Sequence, residues 1–188
     1  MPRPRHVLPV HWQAAGGAGS PQYRDDDVPR DGHAVLAPFP PQLRETQKAA
    51  ASLGVKLVVV EVRGGDYGRA FATMAAQRPD ALLVASSPTF MSDRKRIIEL
   101  AAQHRLPAIY EWPEQVEDGG LMSYGSTQPD LFQRAATYID RIFKGAKPGD
   151  LPIEQPTKFA LVINLRTATA LGLTIPPSLL QRADQVIE

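Results

Sequence analysis

At 188 residues the chain is long enough for one domain with a real core and too short for two of usual size, since domains commonly run from about 50 to 250 residues. Its 21 Lys and Arg against 20 Asp and Glu leave a formal net charge of +1, which supplies no broad field for nucleic acid or for an anionic membrane. The lack of cysteine excludes a disulfide frame and a thiol nucleophile. The longest apolar runs, such as Ala81-Leu-Leu-Val-Ala85, are strand-sized, as is Leu57-Val-Val-Val60, and far below the ~20 residues that span a bilayer, so no membrane span is expected.

The stretch Met1 to Pro41 holds 8 of the 18 prolines and the run Asp25-Asp-Asp27, with neither helical nor alternating apolar periodicity, and predicts no packed structure. Its basic start, Pro2-Arg-Pro-Arg-His6, is followed only by Val7-Leu-Pro-Val10, short of the ~7 to 15 apolar residues of a secretory signal. A tail or linker and a displaced start of a longer gene are both open readings. From Gln42 the pattern becomes regular. Leu43, Ala49, Ala50 and Leu53 predict a helix closed at Gly54, where glycine tolerates a left-handed cap, and Val55 to Val62 is rich in β-branched residues and predicts a strand. Gly64-Gly65 turns the chain into a helix through Tyr67, Phe71, Met74 and Ala75, which Arg78-Pro79-Asp80 breaks. Ala81 to Ala85 reads as a buried strand with Ser86-Ser-Pro88 as its exit loop, Ile97, Leu100 and Ala101 mark the next helix, and Ala108 to Glu111 a third strand. After Gly119-Gly120 come a strand from Leu121 to Tyr124, a helix through Leu131, Ala135, Tyr138, Ile139 and Ile142 ending at Gly145, a strand from Lys158 to Asn164, and a helix closed by Leu171-Gly172.

Alternating helices and strands with short connections predict an α/β fold: a doubly wound, parallel sheet joined by right-handed crossovers, with helices covering both faces. Ligands of such sheets sit beyond the carboxyl ends of the strands, which singles out the loops at 63–66, 86–90 and 111–114.

Tests for chemistry come out negative. His6, His11 and His33 lie in the irregular start, where no scaffold holds a metal or a base, and His104 ends a helix, where an imidazolium favours the dipole. Gly120-Leu-Met-Ser-Tyr-Gly125 misses the spacing of a nucleophile elbow, Gly64-Gly65-Asp66-Tyr67-Gly68 misses the dinucleotide fingerprint, and Gly145-Ala-Lys147 lacks the glycines and hydroxyl of a phosphate loop. Arg94-Lys-Arg96 reads as a solvated face, and Glu111 with Glu114 have no second catalytic feature beside them. No catalytic residue, metal or cofactor is expected, and no nucleic acid. What remains on the candidate edge is Ser86, Ser87 and Thr89 with their hydroxyls, the carboxylate of Glu111, and the rings of Phe90, Tyr110, Trp112 and Tyr124. This mix suits a small ligand with one polar end and one flat or apolar part.

Several segments together carry a resemblance: Arg44-Glu-Thr-Gln-Lys-Ala-Ala-Ala-Ser-Leu-Gly54, Pro79-Asp-Ala-Leu-Leu-Val84, Arg94-Lys-Arg-Ile-Ile-Glu-Leu-Ala101 with Leu106-Pro-Ala-Ile-Tyr110, and Gly119-Gly-Leu-Met-Ser-Tyr-Gly125. The closing segments are Gly145-Ala-Lys-Pro-Gly-Asp-Leu-Pro152, Pro156-Thr-Lys-Phe-Ala-Leu-Val-Ile-Asn164 and Leu171-Gly-Leu-Thr-Ile-Pro-Pro177. From Gln42 to Glu188 the chain resembles the substrate-binding proteins of ABC transporters, in the tryptophan- and tyrosine-type branch with the type I periplasmic-binding fold. The resemblance implies two α/β lobes that close on a small, amino-acid-like ligand and present it to a membrane permease, outside the cytoplasm. It implies a ligand-binding lobe over 42–120 and a segment returning toward the other lobe over 121–188, with 1–41 irregular. It also implies that a signal segment, a first lobe and an opening strand before Arg44 are replaced here, so that the chain is truncated, binds poorly and, without an export signal, is cytoplasmic as given. A cytoplasmic ligand-sensing domain of the same architecture is the alternative, and a small flavodoxin-like enzyme is disfavoured because the loops carry no phosphate or catalytic constellation.

Overall fold

The computed structural model describes residues 33–36 and 40–188. They fall into two compact units divided between Ile109 and Tyr110.

In the first unit, strands β1 (His33–Leu36), β2 (Leu57–Val60), β3 (Leu82–Val84) and β4 (Ala108–Tyr110) line up in the order β2-β1-β3-β4. The recorded pairs are all parallel, with Val35 registering with Val59 on one side and Leu83 on the other. Strand β1 corrects the expectation that nothing before Gln42 is packed and that the opening strand is missing. His33-Ala-Val-Leu36 is a four-residue run in a proline-rich setting, too short to show periodicity, and its place between two apolar strands is a tertiary effect. Expectations for residues 1–32 and 37–39 lie outside the described residues.

Helix α1 (Pro40–Ser52) ends where Gly54 takes φ +66° and Val55 N–H donates to Ala50 O at 2.8 Å, so a left-handed glycine terminates it as expected. Helix α2 (Tyr67–Ala76) starts at Asp66, whose carboxylate accepts the Arg69 N–H at 3.0 Å. It buries Tyr67, Ala70, Phe71 and Met74, while Ala75 faces solvent. A one-turn helix, α3 (Pro88–Ser92), follows β3 directly, with Pro88 preset for the first turn, and α4 (Arg94–Gln103) packs Ile97, Ile98 and Ala101 inward. The strands bury one row, Val58, Val60, Leu82, Val84 and Ala108, and leave the other row half-buried. Each fully buried large side chain contributes about 1.5–3 kcal/mol relative to exposure, which is what holds these short strands in register.

The second unit carries α5 (Pro113–Glu117), β5 (Met122–Gly125), α6 (Gln128–Phe143), β6 (Ala160–Asn164), α7 (Leu165–Ala170), α8 (Pro177–Leu180) and β7 (Gln185–Ile187). Helix α5 packs on β5 and β6. Asn164 ties the unit together: its Oδ1 accepts the Thr167 N–H at 3.1 Å to cap α7, and its Nδ2 donates to Val116 O at 3.2 Å. Strand β6 pairs in parallel with β7, but β5 and β6 are antiparallel, with Gly125 opposite Ala160 and Met122 opposite Ile163. The expectation of parallel pairing throughout therefore fails between β5 and β6. Helix α6 leads away from Gly125 and the segment after it returns along the same helix: Arg134 donates to Gln155 O (3.1 Å) and Thr157 Oγ1 (2.8 Å), and the Tyr138 hydroxyl donates to Pro152 O. An outward and a return pass deliver β6 to the end of the sheet where β5 stops. Periodicity detects the helix and is blind to the return.

Candidate ligand-binding site

In the first unit the chain leaves β3 at Val84, and Ser86-Ser-Pro-Thr89 is the exit expected from the sequence. The first turn of α3 fixes it: Ser87 O accepts the Met91 N–H and Thr89 O the Asp93 N–H, both at 2.9 Å. Ser87 is buried, Ser86 half-buried and Thr89 exposed, and the Ser87 side chain makes no capping hydrogen bond. Behind this turn the Tyr67 hydroxyl donates to Asp93 Oδ2 at 2.6 Å, and the Tyr67 ring meets Phe90 edge-on with centroids 6.2 Å apart. Burial, then the neighbouring Asp93 carboxylate, raises the Tyr67 phenol far above its ordinary value, so it stays a protonated donor. The start of α2 and the α3–α4 junction are thereby locked to each other. His104 occupies the end of α4, as expected, and stacks on Phe71 at 5.8 Å.

In the second unit Tyr110 is 2 % exposed, and its ring lies where a Cβ on Gly120 would come within 2.7 Å of it. Tyr110 thus fills the core of its unit instead of presenting a ring to a surface, and burial raises its phenol strongly. Sequence alternation could not choose the side, because neighbours on both sides of this strand are apolar. Glu111 and Trp112 follow on half-buried positions, with the Trp112 N–H donating to Gln115 Oε1 at 3.1 Å. Glu111 crosses Gly125 so closely that a Cβ there would stand 2.3 Å from Glu111 O and 2.9 Å from its Cγ. Tyr124, 40 % exposed, stacks on Phe159 with centroids 5.7 Å apart. Glu111, Gly125 and Tyr124 are therefore brought together. Glu114 Oε2 and Ser123 Oγ are buried without a hydrogen-bond partner.

Two cavities lie beside α6, and the sequence did not single out either. One, of about 280 Å³, is lined by Ser126, Asp130, Arg134, Thr137 and Lys158 among others. The second, of about 420 Å³, is lined by Tyr138, Ile142, Leu151 and Ile153 with Pro148 and Pro152. Both depend on the return segment lying along the helix, and only the spacing of Asp130, Arg134 and Thr137 on one helical face hinted at them. Among the described residues no cluster of His, Asp or Glu could hold a metal, and no helix is long and apolar enough to cross a membrane. The groups assembled in each unit are hydroxyls, a carboxylate and rings, which can bind and orient a small molecule.

Residues 38–187 match the family model of the ABC transporter substrate binding protein. The chain belongs to that family. Among solved structures, this substrate-binding family member resembles a conserved domain protein of Vibrio cholerae O1 biovar El Tor, at 28 % identity and a TM-score of 0.75 over 84 % of this chain and 54 % of that one. It resembles equally a Streptococcus pneumoniae ABC domain in complex with L-Trp, at 28 % identity and a TM-score of 0.75 over 84 % of this chain and 56 % of that one. A ligand-free, open substrate-binding protein with adhesive properties from Clostridium difficile shares the fold, at 17 % identity and a TM-score of 0.59 over 84 % of this chain and 54 % of that one. The chain spans about half the length of each of these structures. No curated protein matches it.

Proposed function

We propose that this substrate-binding family member serves small-molecule uptake outside the cytoplasm, handing an aromatic, amino-acid-like ligand to an ABC permease. The observation that carries the reading is the 28 % identity to the pneumococcal domain whose structure holds L-Trp. Each unit by itself carries groups compatible with such a ligand: in the first, Ser86, Ser87 and Thr89 offer hydroxyls to a carboxylate, and in the second, Glu111 offers a carboxylate to an ammonium while Trp112 and Tyr124 offer ring faces. Tyr110 takes a supporting part, holding the Gly120 turn from within.

Binding by this chain alone is weak, because Thr89 and Tyr124 are exposed and any ligand contact there competes with water. Calorimetry of the full chain against L-Trp, L-Tyr, L-Phe and aliphatic amino acids tests both statements. The expected result is saturable heat from an aromatic amino acid with a Kd of roughly 0.1–1 mM, weakened about tenfold by Trp112→Ala. A Kd of micromolar or tighter would overturn the weakness. No saturable heat from any aromatic member of the panel at about ten times that Kd range would overturn the ligand class.

A further inference from the structure

Two loops of the first unit belong to the candidate edge, 63–66 after β2 and 86–89 after β3. Strands β2 and β3 are not neighbours in the sheet, because β1 stands between them, so ladder bonds leave the spacing of their exit loops open. A buried side-chain bond makes the join instead. Tyr67 opens α2, and its N–H donates to Gly65 O at 2.9 Å while the Asp66 N–H donates to Arg63 O at 3.1 Å, which anchors it to the first loop. Its hydroxyl then reaches Asp93 Oδ2 at 2.6 Å, and the Asp93 N–H donates to Thr89 O at 2.9 Å. An unbroken series of three hydrogen bonds thus runs from Gly65 in one loop to Thr89 in the other. The Tyr67 ring, 2 % exposed, rests edge-on against Phe90, itself 5 % exposed. All of these contacts lie inside the first unit and are buried by its own residues.

We propose that Tyr67 and Asp93 are positioning residues for ligand capture: their bond holds the 63–66 and 86–89 loops at one spacing before ligand arrives, so that the hydroxyls of Ser86, Ser87 and Thr89 meet a carboxylate already in place. The inference rests on the reading of those hydroxyls as ligand contacts. A loop held in its bound form gives up less freedom on binding, and that saving appears directly as affinity. The five residues of α3 make barely more than one helical turn, too little to fix the loop by their own hydrogen bonds. A bond from a phenol to a carboxylate is short and charge-assisted, which fixes geometry more firmly than a neutral pair. Packing against Phe90 would be served by phenylalanine at position 67; the hydroxyl adds direction, not volume.

Amide NMR titration of the full chain with L-Trp, L-Tyr and L-Phe tests the proposal. Tyr67→Phe and Asp93→Ala are each expected to weaken binding about fivefold, and the double variant to be no weaker than either, because both changes remove the same bond. Asp93→Asn, whose amide oxygen still accepts the phenol O–H, is expected to stay within about twofold of the unaltered chain. Ile98→Val supplies the measure of plain packing loss: it trims a buried α4 side chain outside the series of bonds, and is expected to lower the unfolding midpoint without changing Kd. Circular dichroism checks that each variant is folded. Unaltered affinity in Tyr67→Phe, Asp93→Asn as weak as Asp93→Ala, or Ile98→Val as weak as Tyr67→Phe would each overturn the positioning role and leave the ligand reading standing. Failure of the unaltered chain to give a saturable shift with any of the three amino acids would overturn the ligand reading, and this inference with it.

Discussion

Helices α2 and α6 carry the same kind of pattern and meet opposite fates. In α2 the apolar positions close on the strands of its own unit, leaving Met74 at 0 % and Phe71 at 1 % exposure, whereas in α6 the equivalent side chains stand out in solvent, with Phe143 at 85 %. Periodicity therefore reports that a face is built for burial and says nothing of what buries it. In α2 the covering surface is local in sequence, since β2, β3 and α4 all lie within about forty residues of it. In α6 the return segment covers one apolar stripe of the helix and leaves another exposed.

Truncating each helix separately sharpens this contrast. Phe71→Ala removes a fully buried ring that also stacks on His104, and is expected to cost about 3–5 kcal/mol of unfolding free energy in urea titrations. A loss below about 1 kcal/mol would mean that α2 is not part of a packed core. Tyr67→Phe comes next, at roughly 1–2 kcal/mol, because it keeps the ring against Phe90 and removes only the hydrogen bond to Asp93. Burial of the phenol, and after it the bond to Asp93, also sets a pH dependence. The folded phenol is held above its unfolded value near 10, so its contribution is complete below about pH 10 and is lost as pH rises further. Wild type should lose stability above that pH more steeply than Tyr67→Phe, read from unfolding midpoints; equal slopes would contradict the assignment. The smallest effect is expected from Phe143→Ala, within about 0.5 kcal/mol, because that ring is exposed. A cost comparable to that of Phe71→Ala would break the contrast outright.

The same contrast explains how much was legible in the sequence. Strands β2, β3 and β4 and helices α2 and α4 were readable because β-branched runs and a 3.6-residue period survive in any window that contains them. Helices α3 and α5 were not, since each is a five-residue turn opened by proline, too short for a period to repeat. The antiparallel pairing of β5 with β6 and the central position of β1 are facts about distant segments, which local pattern does not encode. Among the candidate residues, the turn at Ser87 stands where the exit of a parallel strand predicts it. The inward turn of Tyr110 and the closeness of Glu111 to Gly125 needed the packed structure.

Gly125 has a practical consequence for any screen of this chain. A side chain at that position would displace the backbone carrying the Glu111 carboxylate, and with it a proposed ligand contact. A library selected for ligand capture would lose nearly every variant at position 125 and would score it among the contact residues. The residue there has no atom able to reach a ligand beyond its own backbone; what the selection would be measuring is the position of its neighbour.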